Sequence, residues 1–120
     1  MQPDAADAGY LWDMLDAAKT VQGLVSGVGE SEYLRDRKLQ LAVERCVEII
    51  GEAARHVSEG FCAAHPEIPW RAIIAQRHIL AHEYGEIKQD RMWNVATHHV
   101  RELVKLLAPL LPPAPAGPKT

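Results

Sequence analysis

Long apolar runs and closely spaced cysteines are both missing from this 120-residue sequence. No apolar stretch approaches the roughly 20 residues that a membrane-spanning helix requires. The N-terminus lacks the basic and then apolar segments of a secretory signal. The two cysteines, Cys46 and Cys62, fit no CxxC pattern and are typical of small core residues in a reduced protein. These absences favour one cytoplasmic domain without a membrane span.

A strong positive charge is missing as well, because the formal net charge is -3. This balance argues against a protein that coats nucleic acid through general electrostatic attraction. The charge is uneven, however. Residues 1–36 carry seven acidic and two basic side chains, whereas residues 37–120 carry nine acidic and eleven basic ones. The second part therefore has a mild bias towards an anionic ligand.

The sequence also lacks β-alternation, a glycine-rich phosphate loop and an internal repeat, whereas apolar residues recur at helical spacing along most of the chain. Gly27 and Gly29 are expected to end the first helix. Pro69 suits the first position of the third helix, and Asp90 is the expected N-cap of the fourth. The pattern predicts four amphipathic helices, over approximately 8–28, 37–61, 69–84 and 90–111.

Short links between these helices predict an all-α fold, an antiparallel four-helix bundle over residues 1–111. Gly51 lies inside the second helix, where it costs about 1 kcal/mol relative to alanine, so a close approach of another helix is expected there. Leu34 and Trp93 are left over after one bundle core and suggest self-association. The proline-rich segment 112–120 is expected to be a disordered tail.

The stretch that stands out begins at Arg77, on the apolar stripe of the third helix. Arg77 should therefore face other parts of the protein. Its guanidinium stays charged, so burial requires a partner anion or a ligand. Glu48 and Glu52 share one face of the second helix; such glutamates are usually solvated, but one of them could face Arg77. Two interpretations of Arg77 stay open, a packing ion pair and a ligand-binding cation.

His78 and His82, on the same helix, allow three interpretations. Their H-x-x-x-H spacing matches the zinc helix of metalloproteases, but Ile79 replaces the expected glutamate and no third ligand has a matching spacing. A metal site is therefore not expected. They could instead be structural residues at a helix end. The third interpretation is acid–base chemistry on a phosphodiester, which Arg77 favours because arginine binds phosphate in a fixed geometry.

RNA carries its own nucleophile, the 2′-hydroxyl, so its cleavage needs a base, an acid and a cation but no metal. Arg77 and His82 of one ideal helix point about 140° apart. A two-fold dimer that brings two copies of the third helix together would supply two of each residue. On the fourth helix, His98 and His99 are expected at surface or boundary positions, with the alternative that they line the same cleft.

The spacing Arg77-x4-His82-x-Tyr84 resembles the R-x4-H-x-Y motif of the HepT-like toxins, which belong to the HEPN superfamily of ribonucleases. The flanking segments 47–54 and 65–74 are similar too, and the likeness covers roughly residues 10–108. The resemblance implies a HEPN-like homodimer with the motif in a cleft between protomers. It further implies a metal-independent endoribonuclease toxin that needs no cofactor of its own.

The resemblance also implies residue roles. Arg77 would bind and stabilise the scissile phosphate, and His82 would be the acid–base residue. An MntA-like nucleotidyltransferase antitoxin, using its own ATP and Mg²⁺, would adenylylate Tyr84; a larger assembly with this antitoxin is an open alternative. The family commonly has a polar residue, often asparagine, after the arginine, and His78 stands there as a candidate RNA contact.

A different class of function remains as the alternative. The chain could be a non-catalytic helical dimerisation module that binds a nucleotidyltransferase partner or nucleotides. In that case Arg77 is structural. The intact motif favours the enzyme, whereas the acidic net charge favours the module.

Overall fold

The computed structural model describes residues 3–82 and 87–111, with the side chains of 79–82 left out. Within these ranges the chain is helical and contains no β-strand, as the sequence predicts. A π-helical turn at Val95–His99 joins the last two α-helices, and a 3₁₀ turn at Ala108–Leu110 follows them. The α-helices are α1 (Ala5–Val25), α2 (Glu30–Tyr33), α3 (Arg37–His56), α4 (Glu59–Ala64), α5 (Trp70–His82), α6 (Gln89–Asn94) and α7 (Val100–Leu107).

Short polar side chains start three of these helices by accepting hydrogen bonds from backbone N–H groups that have no helical partner. The carboxylate of Asp4 accepts from the N–H of Asp7 at 2.8 Å, which begins α1. Asp36 begins α3 in the same way, with the N–H of Leu39 at 3.0 Å. Each cap satisfies a donor that would otherwise be left unpaired at the helix start.

The prediction of one continuous helix over 37–61 is wrong. The helix ends at His56, and Ser58 caps the separate helix α4. Asp7, on α1, accepts hydrogen bonds from both the N–H and the hydroxyl of Ser58, at 2.9 and 2.6 Å. These bonds hold Ser58 in an extended conformation that an α-helix cannot contain.

Two predicted helix ends also need correction. The first helix ends at Val25 rather than near residue 28, before Gly27, whose φ of 73° lies in the left-handed region. Lys88, and not Asp90, occupies the N-cap position of α6. Asp90 lies in the first turn instead, where its negative charge still favours the helix N-terminus.

Helix α3 lies between α1 and α5 and runs antiparallel to both. Near the start of α1, Tyr10 stacks on His56 at the end of α3. At the other side, Gln89, which follows α5, bonds to Glu44 in the first half of α3. Helix α7 packs on α1. The largest fully buried side chains of this core are Tyr33, Phe61, Leu11, Met14, Ile68, Met92, Leu107, Val21 and Val43.

Several other residues named in the sequence analysis can be located in the structure. Leu34 is exposed, as the self-association argument requires, but Trp93 packs on Tyr33 with ring centroids 5.1 Å apart. Cys46 and Cys62 are free and half-buried, and burial raises the pKa of both thiols. None of the described helices is long and apolar enough to cross a membrane. The predicted tail, 112–120, lies outside the described residues.

Candidate functional site

Arg77 lies on the face of α5 that packs against α3. A Cβ added at Gly51 of α3 would overlap the Cβ of Arg77 and lie 3.0 Å from the carbonyl oxygen of Ile73. Only glycine leaves room for the two helices to approach this closely. The prediction of a close helix approach at Gly51 is therefore confirmed, and this contact fixes the base of the Arg77 side chain.

The guanidinium of Arg77 forms an ion pair with Glu52, with Nη2 lying 3.0 Å from Oε2. Its side chain is only 23% exposed. The other candidate partner, Glu48, pairs with Arg45 on its own helix. The alternative that one glutamate of α3 faces Arg77 is thus confirmed, and that glutamate is Glu52.

Glu52 is shared among several cationic or titratable groups. Its Oε1 accepts a hydrogen bond from Nη2 of Arg55 at 3.0 Å and lies 3.1 Å from Nε2 of His56. The hydrogen bond from Arg55, followed by that from His56, lowers the pKa of Glu52 below its ordinary value. The carboxylate therefore stays ionised and faces Arg77 as a fixed negative charge.

The bonding of Arg77 is nevertheless incomplete. Its Nε is buried and has no hydrogen-bond partner in the part of the chain that the structure describes. Within that same part, Oε2 of Glu52 accepts no hydrogen bond of good geometry, although it lies 3.0 Å from Nη2. The contact is thus electrostatic and poorly aligned. A guanidinium has five N–H donors, so Arg77 retains capacity to bind an oxyanion.

Arg77 lines a cleft of about 310 Å³ between α1, α3 and α5, hereafter the Arg77 cleft. Tyr10 and His56 stack in this cleft with ring centroids 5.2 Å apart and an interplanar angle of 23°. Aromatic, cationic and carboxylate groups are thus gathered in one depression. The lining residues are Tyr10, Asp13, Arg45, Glu48, Ile49, Glu52, Ala53, His56 and Arg77.

The other motif residues are described only in part. His78 is exposed on α5, directly after Arg77. His82 is the last residue of α5, five residues beyond Arg77, which is about 7.5 Å along an ideal helix and about 140° around it. The side chain of His82 and the whole of Tyr84 lie outside the described residues. Their grouping with Arg77 therefore stays a prediction.

His98 and His99 do not line the Arg77 cleft of the single chain, and the alternative that they line a cleft between two protomers stays a prediction. Both are exposed in the π turn, and Nε2 of His99 lies 3.2 Å from Nδ2 of Asn94. His99 lines a separate groove of about 200 Å³. This groove lies between α3, α5 and α7 and is mainly apolar, with side chains that include Val47, Ile73 and Leu103.

The Tyr10–His56 pair was missed by sequence reasoning. Glu52 and His56 have the i, i+4 spacing of a helical ion pair, so their contact was readable from the sequence. The contact of His56 with Tyr10 could not be predicted in this way, because it depends on how α1 and α3 align. No motif marks this alignment.

Among the described residues, no group of three or more His, Cys, Asp or Glu side chains could hold a metal ion. His82 and Glu83 fall outside that set. The described groups instead favour binding of an anion by Arg77 and stacking of a flat group on Tyr10 and His56.

Comparison with known proteins places the chain in a family. The family model described as "Ribonuclease HepT-like" matches residues 14–110. A protein of Thermococcus cleftensis named "Probable ribonuclease HepT" is 33% identical over 94 residues, which cover 78% of this chain and 86% of the relative. A protein of Methanocaldococcus jannaschii named as a "Putative RNase" is 30% identical over 96 residues, covering 80% and 88%. No solved structure matches the chain. This chain belongs to the HepT-like ribonuclease family.

Proposed function

We propose that this protein is an endoribonuclease in which Arg77 binds the scissile phosphate and His82 performs the acid–base chemistry. The observation that carries the proposal is the bonding of Arg77. It is largely buried, stays charged and has an unpartnered Nε among the described residues of a HepT-like chain. A buried donor without a partner lowers the stability of the protein. A ligand that provides the missing acceptor removes this cost when it binds.

RNA cleavage through attack by the 2′-hydroxyl does not require a metal ion. A base takes the proton of the RNA 2′-hydroxyl, and the resulting 2′-oxygen attacks the adjacent phosphorus. The bond to the 5′-oxygen then breaks, and this oxygen receives a proton from an acid. The products are a 2′,3′-cyclic phosphate and a 5′-hydroxyl. Arg77 stabilises the extra negative charge of the phosphorane, and His82 transfers a proton.

One histidine per chain is insufficient if the base and the acid are separate residues. A homodimer of antiparallel four-helix bundles, with the two copies of α5 side by side, supplies two copies of Arg77 and two of His82. It also addresses the divergence of about 140° between these residues on one helix. His78, exposed next to Arg77, is a candidate contact for the RNA strand.

Oε2 of Glu52 must give way when a phosphate binds Arg77 through two N–H groups, because this oxygen lies 3.0 Å from Nη2 in the free protein. Glu52 is 39% exposed, and an ion pair with an exposed partner is weak because water screens its charge. A phosphate that approaches Arg77 with two well-aligned oxygens forms the stronger, bidentate interaction. The exchange of carboxylate for phosphate is therefore energetically accessible.

The biological role that we propose is that of the toxin in a toxin–antitoxin pair. A nucleotidyltransferase antitoxin would attach AMP to Tyr84 and so place a phosphodiester charge and a nucleotide near Arg77. That group would compete with the RNA phosphate for the same cation.

Expression of the protein alone should slow growth, whereas Arg77→Ala and His82→Ala should restore it. Equal growth of all three strains would contradict the toxin role.

The non-catalytic module is retained as a second candidate because one observation favours it. Arg77 has an ion-pair partner on α3, as a packing arginine should. In that case the protein would be a helical dimer that binds a nucleotidyltransferase or nucleotides, and the loss of Arg77 would cost stability rather than catalysis.

Cleavage of a mixed RNA pool in EDTA separates the two candidates. We expect the unmodified protein to cleave and to leave 2′,3′-cyclic phosphate ends, while Arg77→Ala and His82→Ala do not cleave. Cleavage that requires an added divalent metal would contradict the mechanism. No cleavage by a folded dimer with a confirmed bare Tyr84 would overturn the enzyme in favour of the module.

A further inference from the structure

The stacked rings of Tyr10 and His56 form a flat feature in the Arg77 cleft that the proposed chemistry does not use. Neither ring is fully buried; the side chain of His56 is 43% exposed, and Tyr10 is half-buried. The bond from Nε2 of His56 to Glu52, at 3.1 Å, fixes the orientation of the imidazole. Two oriented aromatic rings with accessible surface provide a platform on which another flat group can stack.

We propose that Tyr10 and His56 form a binding subsite for a nucleobase of the RNA strand, next to the phosphate held by Arg77. The inference rests on the proposed ribonuclease function and names the part of the substrate that this region recognises. Proteins bind unpaired RNA bases by stacking them on aromatic side chains, which accounts for much of the affinity for single strands.

The position of the platform relative to Arg77 suits one nucleotide. Glu52 joins the two features, because one carboxylate oxygen lies 3.1 Å from His56 Nε2 and the other lies 3.0 Å from Arg77 Nη2. The imidazole and the guanidinium are therefore separated by a single carboxylate. A base on the platform belongs to a nucleotide whose own phosphate, or the next one, reaches Arg77.

The charge of the cleft favours a base over a second phosphate. Arg45 is neutralised by its ion pair with Glu48, and Asp13 adds another negative charge to the lining. Away from Arg77, this lining repels phosphate oxygens, whereas carboxylates accept hydrogen bonds from the amino groups of bases. The subsite should therefore prefer a base with an exocyclic amino group to uracil.

Binding of a short 2′-O-methyl oligoribonucleotide tests the subsite, because the blocked 2′-oxygen prevents cleavage. The matched variants are Tyr10→Leu, which removes the ring, and Tyr10→Phe, which keeps it. We expect Tyr10→Leu to weaken binding about 5- to 150-fold, the range for one base–aromatic stack, while Tyr10→Phe binds like the parent. His56→Gln retains a side chain that can bond to Glu52 and should weaken binding in the same way.

Oligonucleotides with a single abasic site, moved along the strand, provide the decisive control. One abasic position should weaken binding to the parent, and Tyr10→Leu should then cause no further loss at that position. Equal weakening of intact and abasic RNA by Tyr10→Leu, or no weakening by either ring-removing variant, overturns the subsite. If the parent cleaves RNA while these variants bind normally, the subsite alone fails; if the parent neither binds nor cleaves RNA, the ribonuclease proposal fails with it.

Discussion

Two polar clusters lie against α3, and they differ in how completely their side chains are bonded. The first, hereafter the Tyr33 network, consists of Tyr33, Gln40, Glu44 and Gln89. The hydroxyl of Tyr33 donates to Gln89 Oε1 at 2.9 Å, and Gln89 Nε2 donates to Glu44 Oε2 at 2.7 Å. Gln40 Nε2 donates to the carbonyl oxygen of Tyr33 at 3.0 Å. The second cluster is the Arg77 cleft, where the buried Nε of Arg77 has no partner within the described residues.

We interpret this difference as one between polar groups that stabilise the fold and polar groups that are available to a ligand. Tyr33 is fully buried, and burial followed by the charge of Glu44 raises its pKa to about 12, so its hydroxyl stays a donor at neutral pH. A fully satisfied network of this kind fixes one arrangement of α2, α3 and α6. Arg77 packs closely on Gly51 at its base but is incompletely bonded at its tip within the described residues. This combination is expected where the missing acceptor comes from a ligand.

The largest effect is expected from Gly51→Ala, which attacks the placement of Arg77. The added Cβ would overlap the Cβ of Arg77 and press on the backbone at Ile73, so α5 must move away from α3. We expect a loss of about 1–3 kcal/mol in the free energy of unfolding, as for other overpacked cores, measured by urea denaturation.

Gly9→Ala is the matched control for this change. Gly9 also lies inside a helix, but nothing lies within 4 Å of an added Cβ there. This variant should be stabilised by as much as about 1 kcal/mol through helix propensity. Equal stabilisation of both variants would show that the close approach of α5 to Gly51 is not required.

A smaller effect is expected from Tyr33→Phe, which removes one bond of the Tyr33 network. The substitution keeps the ring and leaves Gln89 Oε1 without its donor, so we expect a loss of about 1 kcal/mol in unfolding free energy. RNA affinity should be unchanged, because this network has no proposed contact with RNA. A large loss of RNA affinity with unchanged stability would contradict the distinction between the two clusters.

The smallest change in stability is expected from Glu52→Gln, which removes the competing charge from Arg77. RNA affinity should rise several-fold at neutral pH, whereas Glu102→Gln, at the exposed ion pair with Lys105 outside the Arg77 cleft, should leave it unchanged. The pKa of Glu52 is lowered in the folded state. Any stability that this carboxylate contributes is therefore present above its ordinary pKa and is lost as the pH falls through the lowered value. Unchanged or weaker RNA binding by Glu52→Gln would contradict the competition.

Local patterns in the sequence predicted the helices and part of the candidate site. Gly51 stood out as a helix breaker inside a helix, and Arg77 as a charge on an apolar stripe; both signals need only helical periodicity. The break before α4 was missed because its cause is a bond between Ser58 and Asp7, which lie 51 residues apart. The stacking of Tyr10 on His56 was missed for the same reason, since it depends on the alignment of two helices.

The most direct test of the central claim compares stability and RNA cleavage for Arg77→Ala and Arg77→Lys in one set of preparations. Both retain the Cβ that packs on Gly51, and Arg77→Lys also retains the charge. We predict melting temperatures close to that of the parent and cleavage reduced about 10²-fold or more in both variants, because lysine cannot bind phosphate in the bidentate geometry. Marked destabilisation with normal cleavage would contradict the account and identify Arg77 as a packing residue.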